Sequence, residues 1–511
     1  DAWTRKTLSS ALFMFLATFC STAALGADVR RNTDAHFGVA EYLLMNGIAG
    51  MIHALFGCQP LLVLRPTGPI TLMLTQLYAL SKAIDVDYFE LVAWCGLGVG
   101  AYMALVAVTE FSRHIASLTP FAHDVFAVFV CSIYVVDGVT GVWTRFGVGG
   151  VVADHATNQA AAALLALVLT VVLVVIALTL NSMDKTSRLF TASIRSILSD
   201  YALSIATVIV TSLSYVYSSS VVSVERIKIT DADSGSGSFR PQPTYTGRDW
   251  FIPLGSFKAA WVGILVALPI TFFFYFDQNF SSLLCQQDRM RLRKGRYFHS
   301  SFLWVALFNA IGPLFGLPFA TGSLPHSPQM VRALWANASD IQKQEARLLR
   351  GSDTAVVRVY ENRLAPFLMY LGILLSLLLF PGAIEAIPLA AVDGILIFVG
   401  LTGIMETELW HRVWLLLTPS EDFPLRYRGR IPTSSIHKFT ALQCAVLAVA
   451  WSLNETPAGL AFPLVICCLV PIRTHLLPAI FTPADLAVLD CDRADEAASG
   501  VREAEGNWCV T

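Results

Sequence analysis

The sequence predicts an all-α polytopic membrane protein of fourteen spans, arranged as a seven-plus-seven inverted repeat in which the third and tenth spans are broken. Three observations lead there. Hydrophobic residues make up 55% of the 511 and charged residues only 14%, against about 25% charged in an ordinary soluble domain. Apolar runs recur along the chain at lengths near the ~20 residues that a helical span requires. Two of these runs are interrupted in the same way, at Leu55-Phe56-Gly57 leading to Pro66-Thr67-Gly68-Pro69 and at Leu314-Phe315-Gly316 leading to Pro325-His326-Ser327-Pro328. The offset from Phe-Gly to the Pro-x-x-Pro is the same in both. A proline-flanked extended segment that feeds a helix suits proline at a first helical position, where its missing N–H costs nothing. Non-helical backbone at membrane depth is tolerated only where protein buries it or it lines a cavity, so the two breaks should face each other. Interrupted spans in corresponding halves point to a transporter built from repeats.

In chain order, Arg5-Lys6 precedes an apolar stretch from Leu8 to Leu25. That pattern also fits a signal peptide; with no initiator Met and further spans following, a first membrane span is the expectation. Leu43–Gly57 is the second. The broken third has an extended Leu61–Arg65 and a half-helix from Pro69 to about Lys82, roughly 20 Å at 1.5 Å per residue and too short to cross alone. Phe89–Phe111, Ala116–Trp143, Ala160–Leu180 and Tyr201–Val222 complete a first repeat, residues 1–222. A polar linker occupies 223–256, centred on the Asp231–Ser238 run of Asp, Ser and Gly, a flexible composition. The second repeat, 257–480, holds Phe257–Cys285, Phe298–Ile311, the broken Gly312–Ala336, Leu364–Phe380, Ile387–Ile404, Phe439–Leu453 and Gly459–Leu477. Thr407–Thr418 reads as an amphipathic interfacial piece, and 481–511 as a tail.

Basic residues crowd three loops, at Arg289–Arg296, at Lys343, Arg347 and Arg350, and at Arg426, Arg428 and Arg430. All three fall on one side of this topology, which the positive-inside tendency makes cytoplasmic together with both termini. The linker is then extracytoplasmic. The ten cysteines are scattered, with only Cys467-Cys468 adjacent, and read as reduced packing residues rather than metal ligands. The net charge of −2 points to no particular partner. Neither a cofactor, a metal nor a nucleic-acid partner is expected.

Ionisable residues inside spans are expensive and each needs a reason. Asp277, within the aromatic run Phe272–Phe276, is the sharpest candidate, as a carboxylate that couples transport to a proton or cation. Asp137 and Asp393 fit structural roles equally well. His326 at the second half-helix reads first as a capping or hydrogen-bonding group and second as a proton carrier. Half-helix N-termini converging on one volume suit a compact oxyanion. Thr67 and Gly68 would serve from one side, and Ser323, Leu324, His326 and Ser327 from the other. Nothing resembles a nucleotide loop, a catalytic triad or a zinc motif, so secondary transport driven by ion gradients is expected, and not an enzyme.

Gln59-Pro60-Leu61-Leu62 resembles the stretch before the third span of the bicarbonate-transporter superfamily, which includes anion exchangers, sodium–bicarbonate cotransporters and boron transporters. Arg293-Lys294-Gly295 with Tyr297-Phe298-His299 is similar to its basic loop after the eighth span. Leu415–Pro419, Phe462-Pro463-Leu464 and Val470-Pro471-Ile472-Arg473 resemble its last third. Within the superfamily, Tyr275-Phe276-Asp277 and Pro325-His326-Ser327-Pro328 look most like the plant and fungal borate exporters. The resemblance implies core and gate domains, a homodimer, an elevator-like movement of the core, a plasma-membrane location and borate efflux, possible proton coupling included; bicarbonate exchange is the alternative. It places Asp277 at the acidic position of the eighth span and Thr67 and Gly68 at the third-span half-helix. The sequence departs from the pattern where His326 replaces a Gln or Arg, where Ser21 replaces a proline of the first span, and where Arg65 replaces a Gly. The resemblance to the plant and fungal members implies that the large soluble amino-terminal domain of animal members is not expected. Arg65 should either snorkel to the cytoplasmic interface as an anchor, the preferred expectation, or point into the anion site and hold an oxyanion with two donors.

Overall fold

In the computed structural model the described residues are 3–111, 120–146, 156–186, 189–217, 224–229, 243–245, 247–286, 290, 292–294, 297–335, 359–424, 427–428, 430–454, 456 and 459–490. The first part of the chain forms α1 (Arg5–Asn32), α2 (Val39–Phe56), β1 (Leu64–Arg65), α3 (Gly68–Ile84), α4 (Tyr88–Val108), α5 (Pro120–Thr144), α6 (Ala156–Thr186), α7 (Ala192–Asp200) and α8 (Ala202–Tyr217). The second forms α9 (Phe257–Cys285), α10 (Phe298–Ile311), β2 (Thr321–Gly322), α11 (His326–Ala333), α12 (Leu364–Leu379), α13 (Pro381–Glu385), α14 (Leu389–Met405), α15 (Glu408–Trp414), α16 (Thr433–Asn454), α17 (Phe462–Pro471), α18 (Leu477–Ile480) and α19 (Pro483–Leu489).

Eight helices among the described residues are long and apolar enough to cross a membrane, or nine if α14 and α15, bent by 76° at their junction, count as one. The other segments of the expected fourteen are not helices of that length and apolarity among the described residues. α8 and α12 run to 16 residues each, about 24 Å, and α17 passes into a π-helical stretch at Ile472–Leu476 before α18. The other two expected spans are the interrupted ones, which hold β1 with α3 and β2 with α11. Thr407–Thr418 becomes the short helix α15, capped by the Thr407 hydroxyl accepting from the Trp410 N–H at 3.3 Å.

Local signals explain the helix ends. Thr4, Asp87 and Ser256 cap α1, α4 and α9 by accepting from backbone N–H groups three residues on, at 3.1, 2.8 and 3.2 Å, the usual satisfaction of orphan donors at a helix start. The C-terminal carbonyls of α2 are taken up by Arg363, whose Nη1 donates to Ala54, Leu55 and Gly57 oxygens at 2.9, 2.9 and 2.7 Å. α1 runs unbroken through Ser21, whose hydroxyl donates back to the Ala17 carbonyl at 2.8 Å. Without a proline the first span has no reason to break.

Of the linker, residues 231–238 lie outside the described residues, but its flanks are fastened down. Ile227 N–H donates to Ile387 at 3.0 Å, and Ile252 N–H to Leu314 at 2.9 Å. Buried Glu41 accepts from the Thr244 N–H and hydroxyl at 2.7 and 2.6 Å and pairs with Arg248 at 3.0 Å. Of the basic loops, Arg293, Lys294, Arg428 and Arg430 are described, the first two with their N–H groups on the Glu361 carboxylate; Arg289, Arg291, Arg296, Arg426, Lys343, Arg347 and Arg350 lie outside the described residues. The expected tail begins ordered, because Asp490 accepts from the Phe121 N–H at 2.8 Å and pairs with Arg473.

Two ion-pair groups built on buried carboxylates fix the helices. Asp393, at the start of α14, pairs with Arg31 of α1 at 3.3 Å and Arg145 at 2.5 Å, and Arg31 also holds Asp28 at 2.5 Å. That gives Asp393 the structural role. Arg412 of α15 pairs with Asp124 of α5 at 2.8 Å and donates to Gln443 of α16 at 2.8 Å.

Candidate functional site

The two interruptions meet. β1 and β2 pair antiparallel, Leu64 opposite Gly322 and Arg65 opposite Thr321, so that two stretches lacking helical hydrogen bonds satisfy each other inside the protein. Ser323 N–H extends the ladder to the Val63 carbonyl at 2.8 Å. Side chains complete it: the Ser327 hydroxyl accepts from Val63 N–H at 3.1 Å, Tyr370 of α12 accepts from Leu64 N–H at 2.8 Å, and Gln278 of α9 accepts from Gly322 N–H at 2.6 Å. Any Cβ on Gly322 would meet the Gln278 Oε1 at 2.8 Å and the Ser281 hydroxyl at 2.9 Å, which is why glycine stands there.

α3 and α11 leave from the far ends of this pair. Gly68, the first residue of α3, donates its N–H to the Tyr134 hydroxyl of α5 at 2.8 Å, and a Cβ there would lie 2.7 Å from the Tyr134 ring. At α11 the Ser327 N–H turns back to the Ser323 carbonyl at 3.0 Å. His326 is held by Ser323 through Nδ1 at 2.9 Å and faces the Ser21 hydroxyl through Nε2 at 3.4 Å. This matches its reading as a hydrogen-bonding group. Leu324 is half-buried against the core, while Ser323, His326, Ser327, Thr67 and Gly68 are buried.

Arg65 corrects the preferred expectation. It is 0% exposed, so it does not snorkel to an interface. Its Nε donates to Ser323 at 3.3 Å and its Nη1 to the hydroxyls of Ser21 and of Thr22 on α1. All its bonded partners are neutral, and Nη2 has no hydrogen-bond partner among the described residues. The Asp277 carboxylate interacts with Arg65 through space, and no ion pair within 4 Å joins the two. Asp277 is 2% exposed, lies beside Thr321, and its Oδ2 has no partner. The Thr67 hydroxyl and Gln278 Nε2 are likewise unpartnered among the described residues.

The site is thus a buried cation, a separate buried carboxylate and several idle polar atoms around a short strand pair. Leaving such groups unsatisfied costs about 1–3 kcal/mol each, and a buried charge more. A bound anion offering several oxygens would relieve most of that cost. Sequence reasoning missed Ser21 and Thr22 as Arg65 partners, and missed Tyr134, Gln278 and Tyr370 altogether. These come from α1, α5, α9 and α12, and nothing in their local sequence marks them.

The chain was compared with known proteins. It is 26% identical to the band 3 anion transport protein of Rattus norvegicus over 99% of this chain and 54% of that one. To the anion exchange protein 3 of Homo sapiens it is 25% identical over 97% of this chain and 42% of that one. The chain thus spans about half the length of these relatives. Its fold is similar to the transmembrane domain of a cyanobacterium bicarbonate transporter, BicA, with a TM-score of 0.56 at 14% identity over 90% of this chain and 97% of that one. It is also similar to the overall structure of SLC26A9, with a TM-score of 0.55 at 11% identity over 91% and 65%. These likenesses establish a helical membrane transporter fold. The model of the HCO3- transporter integral membrane domain matches residues 1–151 and 147–494, and with nearly the whole chain so covered, the protein belongs to that family.

Proposed function

We propose that the chain is a secondary transporter of a small inorganic oxyanion of the bicarbonate class, working by anion exchange. One observation carries this: Arg65 is wholly buried between the two broken spans, bonded only to neutral groups, with one nitrogen idle. A guanidinium in that state is a charge waiting for a partner, and its planar fork suits a planar oxyanion. Thr67, Gly68, Ser323 and Ser327 line the same strand pair, with His326 holding Ser323 in place. Leu324 contributes packing. Asp277, unpaired and close by, is the group we assign to coupling, taking a proton or cation as the anion binds or leaves.

The wider scheme goes with this reading. Fourteen spans form a seven-plus-seven repeat, a core carrying both broken spans moves past a gate, and the protein is a homodimer in the plasma membrane with cytoplasmic termini. Borate is the second reading. A tetrahedral borate brings several O–H donors, and the idle acceptors Asp277 Oδ2 and Thr67 Oγ1 would take two of them.

Bicarbonate and borate flux into proteoliposomes, each with and without a pH gradient, tests these readings. Saturable bicarbonate exchange that disappears in Arg65→Gln supports the main reading. Boron movement with no bicarbonate flux replaces it by the second. Flux of neither anion, or undiminished flux in Arg65→Gln, overturns the site.

A further inference from the structure

The Tyr134 hydroxyl stands where an anion's oxygen should stand. Three observations place it there. It accepts the N–H of Gly68, the first donor of the half-helix α3, at 2.8 Å. The Arg65 guanidinium lies within interacting range of the same hydroxyl, while its Nη2 has no hydrogen-bond partner among the described residues. Gly68 has no room for even a methyl group beneath the Tyr134 ring, the nearest ring atom lying 2.7 Å from where a Cβ would sit. A helix N-terminal N–H and a guanidinium converging on one oxygen make an anion seat. Here a neutral phenol fills it.

The phenol belongs to a different part of the bundle from its partners. Gly68 and Arg65 sit on the β1–α3 segment, whereas α5 packs mainly along α14 and touches α3 only lightly. The bond therefore ties the segment that carries the seat to a helix outside it.

We propose that Tyr134 stands in for the anion in the empty transporter, tethering α3 to α5 until an incoming oxyanion takes its place on Gly68 and Arg65. Binding and release of the tether are then one event. The inference rests on the anion site proposed above and adds a specificity-determining residue to it. An ion with a strong acceptor oxygen displaces the phenol; a weak acceptor does not. The empty protein, still tethered, resists the movement that would carry an unoccupied seat across the membrane.

The test is a bicarbonate titration of thermal stability for the full chain in detergent, comparing wild type, Tyr134→Phe and Arg65→Gln. Without bicarbonate, Tyr134→Phe should melt below wild type, because a bond is gone. At saturating bicarbonate the two should converge, because the wild type has by then given up the same bond. The apparent bicarbonate affinity of Tyr134→Phe should rise about three- to tenfold, the range a single hydrogen bond of ordinary net strength supplies. A stability gap that persists unchanged at saturation, or a weaker affinity in Tyr134→Phe, overturns the stand-in and makes the bond structural. If Tyr134→Phe can be purified only in bicarbonate, the proposal gains support; if it cannot be recovered even there, the proposal fails. Arg65→Gln separates the two layers. Undiminished bicarbonate stabilisation in Arg65→Gln removes the site itself, whereas its loss there together with a non-converging Tyr134→Phe removes only the tether.

Discussion

Two arginines are buried in this protein to nearly the same degree and are used in opposite ways. Arg412 is 1% exposed and Arg65 0%. Arg412 meets Asp124 at 2.8 Å and Gln443 at 2.8 Å, and it lies over the Phe439 ring at 5.1 Å. Its charge is cancelled on the spot, and the three helices it joins are held by that cancellation. Arg65 donates to the hydroxyls of Ser21, Thr22 and Ser323 and lies near that of Tyr134, all of them neutral, while the Asp277 carboxylate interacts with it only through space. Its charge is kept in reserve. Burial alone therefore separates neither role; what separates them is whether the counter-charge is already present.

The largest effect should come from breaking the cancelled pair. Arg412→Ala leaves Asp124 buried with only the His123 imidazole, 3.9 Å away, beside it, and should cost up to about 3–5 kcal/mol of stability. It would be seen as loss of monodisperse protein on size exclusion, with partial recovery in Arg412→Ala combined with Asp124→Asn. A full-yield single mutant would erase the distinction. Arg65→Gln, by contrast, removes a charge that nothing in the fold needs. The protein should fold with its melting temperature little changed, yet lose bicarbonate stabilisation by at least about tenfold in concentration, since charge-assisted bonds are worth about 1.5–3 kcal/mol.

Asp277→Asn comes next. The amide keeps the shape but cannot ionise, so the part of the flux driven by a pH gradient should vanish while the protein remains folded. Gradient-driven flux equal to wild type would leave Asp277 a structural residue. The smallest effect is expected from Arg65→Lys. Lysine retains the charge and loses the paired donors, so anion affinity should fall about three- to tenfold at unchanged stability, the worth of one hydrogen bond. No change at all would mean that the site senses only charge.

The same contrast marks how far the sequence can be read. Both breaks were legible because proline and glycine act locally, and the expected half-helix from Pro69 to about Lys82 is Gly68–Ile84 in the structure. Phe257–Cys285 and Phe298–Ile311 coincide with α9 and α10 to the residue. That the breaks lie against each other followed from the cost of unpaired backbone in a membrane. The orientation of Arg65 did not follow. A single arginine near a span end has a cheap route to water through its long stem, and what holds it inward is a set of hydroxyls supplied by other elements, α1 and Ser323 among them. Tyr134 and Tyr370 were equally hidden, since a tyrosine in an apolar run reads as packing until the opposing backbone is known.

The strand pair has a further consequence, for the making of the protein. Leu64 and Arg65 leave the ribosome long before Thr321 and Gly322, with some 250 residues still to be made in between. At about 5–20 residues per second, β1 waits on the order of tens of seconds with its backbone groups unmatched, at a depth where neither water nor lipid can be counted on to serve them. The strand pair is therefore among the last parts of the molecule to exist. Until the second half arrives, the first must be sheltered by whatever inserts it, and a nascent chain halted before β2 would carry an open strand edge that other unfinished chains can pair with.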